Sequence, residues 1–224
     1  MKSELPNCAK CPYNMTDRLC RKDEGKAPPF CPTRNNSDLI DNCLREYHRP
    51  DILEFAKQSS IQESDGYAYR DNGYERVKPI KPRIEEVIEF SQKMDYRRLG
   101  LAFCIGLRKE ATVVEKLLSD RGFIVVSTIC KVGRIPKEHI GIRDDQKISI
   151  GDFEAMCNPV LQASILNQEK TDFNILLGLC VGHDSLFFKY AKAPCTVLAV
   201  KDRVFGHNPL AAIYNIDSYY RYLK

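Results

Sequence analysis

Phe173-Asn174-Ile175-Leu176-Leu177-Gly178-Leu179-Cys180-Val181-Gly182-His183-Asp184-Ser185-Leu186-Phe187 decides the fold. A short apolar run, the length of one buried strand, ends at two glycines. Asp184, a natural helix cap, then opens a helical stretch to about residue 191. The same alternation recurs on either side. Apolar runs at 99–103, 123–126 and 196–200 are separated by helical stretches at about 110–120 and 158–167, the pattern of βαβ units. The reading is an α/β fold, a mostly parallel sheet with helices on both faces.

Between the second and third runs lies a long polar stretch, 131–152, broken by Gly133, Pro136, Gly141 and Gly151. Loops of that length in a compact domain serve as lids or binding loops, so it is expected over the carboxyl edge of the sheet. Upstream, Ser37 or Asp38 caps a helix to about Tyr47, and Pro50-Asp51 opens another. A polar loop at 63–78 follows, then a helix at 82–96 with Ile84, Val87, Ile88 and Met94 on one face. A tyrosine-rich tail at 209–223 reads as a short helix. The domains expected are a cysteine-rich metal-binding module at 1–36, a helical linker region at 37–97 and the α/β domain at 98–224.

The 224 residues, 43% of them hydrophobic, suffice for one core and a small appendage. Ten cysteines are many for such a chain, and the opening Met-Lys-Ser-Glu-Leu-Pro-Asn lacks the apolar stretch of a secretory signal. That combination places the chain in the cytoplasm, where thiols serve as metal ligands or redox groups rather than as staples. No apolar run nears the ~20 residues that cross a bilayer, so no membrane insertion is expected. Residues 1–50 carry nine basic and seven acidic side chains. This is too even a mixture for phosphate binding, and no nucleic acid is expected as a partner.

Cys8, Cys11, Cys20 and Cys31 have the composition of a four-thiolate site, since a Cys-x-x-Cys turn presents two sulfurs to one ion and two later cysteines fold back over it. The expected cofactor is zinc or an iron–sulfur cluster; the alternative is a set of free or disulfide-bonded thiols. Cys43, on a predicted helix, reads as a small buried hydrophobe.

A second group is defined by position. Cys104, Cys130 and Cys180 directly follow the first three strands, and Cys157 precedes the helix leading into the third. In a parallel sheet the carboxyl ends of the strands share one edge, and ligands of open α/β folds bind there. These four cysteines are the candidate catalytic and cofactor-binding residues, each with the alternative of a buried strand-end thiol. Helix amino termini favour thiolate, which would act on Cys157 and Cys180. His183 is a proton donor, a ligand or a cap neighbour, and Lys201-Asp202-Arg203 and His207-Asn208 belong to the same edge. Cys195 begins the last strand and falls at the opposite edge.

The motifs Phe103-Cys104-Ile105-Gly106-Leu107, Cys130-Lys131-Val132-Gly133, Cys157-Asn158-Pro159, the stretch from Gly178 to Phe187, and Lys201-Asp202-Arg203-Val204 with His207-Asn208-Pro209 resemble those of a prokaryotic family of unknown function whose members are described as predicted metal-binding proteins. The resemblance spans most of the chain. It implies metal binding and the same domain layout, and it supplies no reaction.

Two functions follow as expectations. The first is an iron–sulfur or zinc enzyme acting on a small-molecule substrate at the cysteine-lined carboxyl edge, with Cys104, Cys130, Cys157 and Cys180 as a pool of ligands and nucleophiles and His183 beside them. The second is a non-catalytic zinc-binding or redox-sensing protein. No Gly-x-Gly-x-x-Gly or Walker-type loop follows any strand, which disfavours a nucleotide-binding domain.

Overall fold

The computed structural model describes residues 5–224. The chain divides into two compact units, one ending at Ser64 and one of residues 65–224. In the first, single helical turns at Cys8–Lys10 and Met15–Asp17 lead to three helices, α1 (Pro32–Asn35), α2 (Ser37–Glu46) and α3 (Pro50–Asp65). Asn36, rather than Ser37 or Asp38, occupies the cap of α2. Cys43 on α2 is exposed, not the buried hydrophobe its helical position suggested.

The second unit opens with a two-residue antiparallel pair, β1 (Tyr67–Ala68) and β2 (Lys78–Pro79), inside the stretch that reads as plain polar loop. Then come α4 (Arg83–Lys93), β3 (Arg98–Phe103), α5 (Arg108–Ser119), β4 (Ile124–Ile129), α6 (Pro159–Gln168), β5 (Phe173–Leu177), α7 (His183–Tyr190), β6 (Cys195–Ala199) and α8 (Leu210–Tyr214). Strands β3 to β6 form one all-parallel sheet in the order β4-β3-β5-β6, the α/β architecture expected from the sequence. Only 210–214 of the tail is an α-helix. The carbonyl of Asn215 accepts the N–H groups of Ser218 and Tyr220, turning the chain, and Tyr219 and Tyr222 stay exposed for want of an apolar face to bury.

This order places the site. The crossover through α5 steps from β3 outward to β4, whereas those through α6 and α7 run the other way, to β5 and then β6. Right-handed crossovers put α5 on one face and α6 with α7 on the other, and α6 packs against α7. Every residue of β5 is buried, as a central strand covered on both faces must be. On the α6–α7 face, Ala102, Ala163, Leu166, Leu176 and Phe187 form a core cluster in which Cys104 and Cys130 are also members. Gly100 fits the same face because a Cβ there would lie 2.1 Å from Asn174 Oδ1 and 2.7 Å from Leu166 Cδ1.

Connections leave β3 and β5 in opposite directions, which makes the carboxyl ends of these strands the switch point at which such sheets bind ligands. At the amino edge, by contrast, polar groups are committed to structure. Asp172 Oδ2 accepts the N–H groups of Arg97 and Arg98, each at 2.8 Å. Cys195 lies there with its thiol pushed up by burial, beside Asn174. Among the described residues, no helix is long and apolar enough to cross a membrane.

Candidate functional site: a row of thiols at the carboxyl edge

Three backbone bonds assemble the site. Cys104 N–H donates to Leu177 O at 3.1 Å and Cys130 N–H to Phe103 O at 2.9 Å, carrying the β-ladder one residue past each strand. The third comes from the far end of the long loop, where Asn158 N–H donates to Cys130 O at 2.7 Å. The loop leaves at residue 131 and returns through a paired neck: Pro136 and Ala155 form an antiparallel bridge, and Met156 N–H donates to Ile135 O at 2.8 Å. Lys131 Nζ also donates to Ala155 O. Glu154 pins the loop's interior, accepting from Ile148 N–H at 2.8 Å, Ser149 N–H at 3.1 Å and Lys137 Nζ at 2.7 Å. Asn158 Oδ1 then caps α6 by accepting Leu161 N–H at 3.0 Å, with Pro159 in the first turn. The loop therefore delivers Cys157 to the side of Cys130.

The sulfurs lie together. Cys130, 2% exposed, shares a core cluster with Cys104, and Cys157 packs against that cluster, with the Cys130 thiol between its two neighbours. Ile105 N–H donates to Cys130 Sγ at 3.3 Å. Each outer thiol has a cation. Lys201 and the N–H of Gly106 reach Cys104, and the missing side chain at Gly106 is what admits Lys201, whose Nζ would lie 2.9 Å from a Cβ there. His183, at the start of α7, lies against Cys157, with the charge of Lys131 nearby. Below the row, Gln162, fully buried on α6, donates from Nε2 to Thr128 O at 2.8 Å, tying that helix to the end of β4.

These contacts set the protonation. The Cys157 thiol is pulled down to about 4, first by the hydrogen bond from Cys130 and next by His183, against the opposing effect of burial. The Cys104 thiol is pulled down to about 5, again first by Cys130 and then, against burial, by Gly106 N–H and Lys201. Cys130 is pushed up by holding its proton between two sulfurs. One S–H proton serves one acceptor at a time, so Cys130 does not support both neighbours at once. Cys157 has the better independent support in His183, whose own pKa is raised chiefly by the bond to Cys157. Cys157 and His183, both half-buried, each shift the other toward its charged form, as a thiol and an imidazole in contact do.

Cys180 takes a separate partner: Arg203 Nη2 donates to its sulfur at 3.2 Å. The first amides of α7, at His183 and Asp184, donate to the carbonyl oxygen of Cys180, so they are not directed at its thiol as the sequence suggested. Of the residues expected at the edge, Cys104, Cys130, Cys157 and His183 meet, and Lys201 joins them. Lys131, which the sequence offered only as the residue after Cys130, belongs as well.

Residues 31–198 match the protein family described as a protein of unknown function (DUF1847). The chain belongs to that family. The DUF1847 span contains the four edge cysteines and His183 but, of the amino-terminal four, only Cys31. The uncharacterized protein MJ0455 of Methanocaldococcus jannaschii is 45% identical over 173 residues, covering 77% of this chain and 86% of the relative. No solved structure matches. Neither description carries the metal-binding label that the resemblance implied.

The cofactor expectation, zinc or an iron–sulfur cluster, is overturned at both places. Among the described residues, no group of three or more His, Cys, Asp or Glu side chains is placed to hold a metal ion. Cys8, Cys11, Cys20 and Cys31 do line one cavity, of about 40 Å³, but Arg18 and Lys26 line it with them, as do Leu19, Pro28 and Phe30. Fixed positive charges there repel a cation, and Arg18 is held in place by donating to Tyr13 O and Cys11 O. At the edge, the sulfurs of Cys104, Cys130 and Cys157 are directed at one another and at N–H donors, and that of Cys180 at a guanidinium. All ten cysteines are free thiols.

Proposed function

We propose that this chain is a cysteine-dependent enzyme acting on a small molecule at the carboxyl edge of its sheet. Cys157 is the nucleophile, His183 its proton partner, and Cys130 the thiol that supports it from within. The observation that carries the reading is the contact of Cys157 with both His183 and Cys130. A thiolate paired with an imidazolium attacks an electrophilic atom, and the imidazolium returns the proton to the leaving group. The ten free thiols accord with a reducing, cytoplasmic setting.

The test is residue-resolved alkylation with iodoacetamide at about pH 6, where an unperturbed thiol is almost wholly protonated. Cys8, Cys20 and Cys43 are exposed and Cys157 is not fully so; accessibility alone therefore ranks Cys157 behind them. Reaction of Cys157 ahead of all three supports the proposal. Reaction in order of exposure overturns it.

A non-catalytic redox sensor is the second reading, and the juxtaposition of three thiols favours it. A sensor oxidises and is reduced without consuming a substrate in excess of itself; an enzyme turns over.

A further inference from the structure

A thiolate beside an imidazole can attack carbon or sulfur. Cys130 narrows the choice. A nucleophilic cysteine that acts on carbon does not release its product through an adjacent thiol by forming a disulfide, because a thioester or thioether is not broken that way, although such a thiol still supports the thiolate. A cysteine that acts on sulfur does, since the mixed disulfide it forms is resolved by an adjacent thiol.

Building on the assignment of Cys157 as nucleophile, we infer that the site carries out thiol–disulfide exchange on a low-molecular-weight disulfide, with Cys130 as the resolving thiol. Burial divides the labour. Cys130 is 2% exposed and Cys104 7%, so a disulfide arriving from solvent meets half-buried Cys157 first and cannot reach Cys130. Once half the substrate is attached to Cys157, the sulfur of Cys157 is itself the electrophile, and Cys130 already touches it. The bond from Asn158 N–H to Cys130 O, 2.7 Å, holds the two backbones together for that step.

The Cys157 thiolate attacks one sulfur of R–S–S–R, forming Cys157–S–S–R; the substrate's S–S bond breaks and R–S⁻ leaves with the electron pair, taking a proton from His183. With the charge on Cys157 gone, Cys130 passes its proton to the neighbouring Cys104 in its thiolate form, which Lys201 and the Gly106 amide favour. Cys130 then attacks Cys157 Sγ, so that a Cys130–Cys157 disulfide forms and the second R–S⁻ departs. The substrate disulfide is reduced by two electrons and the cysteine pair is oxidised by two. A dithiol reductant restores the pair for the next turn. Cys104, a thiol that never enters the covalent chain, acts as the proton acceptor.

The experiment uses the full reduced chain, without oxygen, treated with 2,2′-dithiodipyridine, quenched in acid, blocked at its remaining thiols with N-ethylmaleimide and then digested with trypsin. Cys130 and Cys157 fall in separate tryptic peptides, 122–131 and 148–170. The expected product is those two peptides joined by a disulfide, with no thiopyridyl group left on Cys157. In Cys130→Ser the same treatment should stop at a thiopyridyl adduct on Cys157. Near-ultraviolet circular dichroism of Cys130→Ser and, if it fails, of Cys130→Ala verifies the fold. A persistent thiopyridyl adduct on Cys157 in the unmodified chain overturns the exchange inference and leaves Cys157 as a nucleophile for another electrophile. Failure of Cys157 to react ahead of the exposed thiols removes the nucleophile assignment and this inference with it.

Discussion

Asn158 and Cys130 are joined by a 2.7 Å hydrogen bond from the amide of one to the carbonyl of the other, across 28 residues of chain. Through that bond a loop that wanders from residue 131 to 156 delivers its last cysteine to the end of strand β4. The same residue caps α6 through its side chain, so Asn158 fixes both the helix and the Cys157 backbone beside it.

Asn158→Ala should therefore do two things. Loss of the cap should cost about 1 kcal/mol in urea unfolding. The alkylation rate of Cys157 at about pH 6 should also fall severalfold, as the thiol drifts from Cys130 and His183. A stability loss with no change in that rate would show that the cap does not position the thiol.

Glu154 secures the loop's interior, and its carboxyl is held down to about 2, from an ordinary 4.5, first by the Lys137 ammonium and also by the amides of Ser149 and Ile148. A carboxyl lowered on folding stabilises the fold above its unfolded value and loses that contribution as pH falls through the folded one. The loop should stay closed above about pH 4.5 and loosen progressively toward pH 2. Hydrogen exchange of amides 148 and 149 should follow this window. Glu154→Gln should exchange rapidly even at neutral pH; equal protection in both proteins would contradict the assignment.

Gly100→Ala tests the α6 face of the sheet. The added methyl would meet Asn174 Oδ1 and Leu166, and overpacking of this kind costs about 1–3 kcal/mol. Denaturant unfolding measures it, and a neutral result would mean that Asn174 can swing away from β3.

The sheet was legible because its strands are short, continuously apolar runs, and because a cysteine directly after such a run must lie at the carboxyl edge. The same placement puts Cys104, Cys130 and Cys157 at that edge. What it missed is directional. Spacing counts sulfurs without saying where they point, so Cys8, Cys11, Cys20 and Cys31 read as a ligand set although Arg18 and Lys26 line their cavity. Cys180 sits at the right edge, yet its sulfur turns to Arg203. Lys131 acquires its place by following Cys130, a signal present in the sequence but indistinguishable there from any loop lysine. The β1–β2 pair is two residues long on each side, too short for alternation to show.

His183→Gln removes the imidazolium while keeping a polar side chain of similar reach. The pKa of Cys157 should rise, because His183 is among the groups that lower it. Its alkylation should slow severalfold at about pH 6 and be nearly unchanged at about pH 9, where an unperturbed thiol also ionises. A uniform slowing at both pH values would mean that His183 shapes access rather than ionisation.

The most direct measurement is the rate of Cys157 alkylation in the unmodified chain as a function of pH, followed by mass spectrometry of peptide 148–170. With the thiol at about 4 in place of an ordinary 9.0, the rate should be flat from about pH 9 down to about pH 5 and fall by half near pH 4. A rate that drops tenfold per pH unit from about pH 8 downward would show an ordinary thiol, and would contradict the account of Cys157 as the nucleophile of this edge.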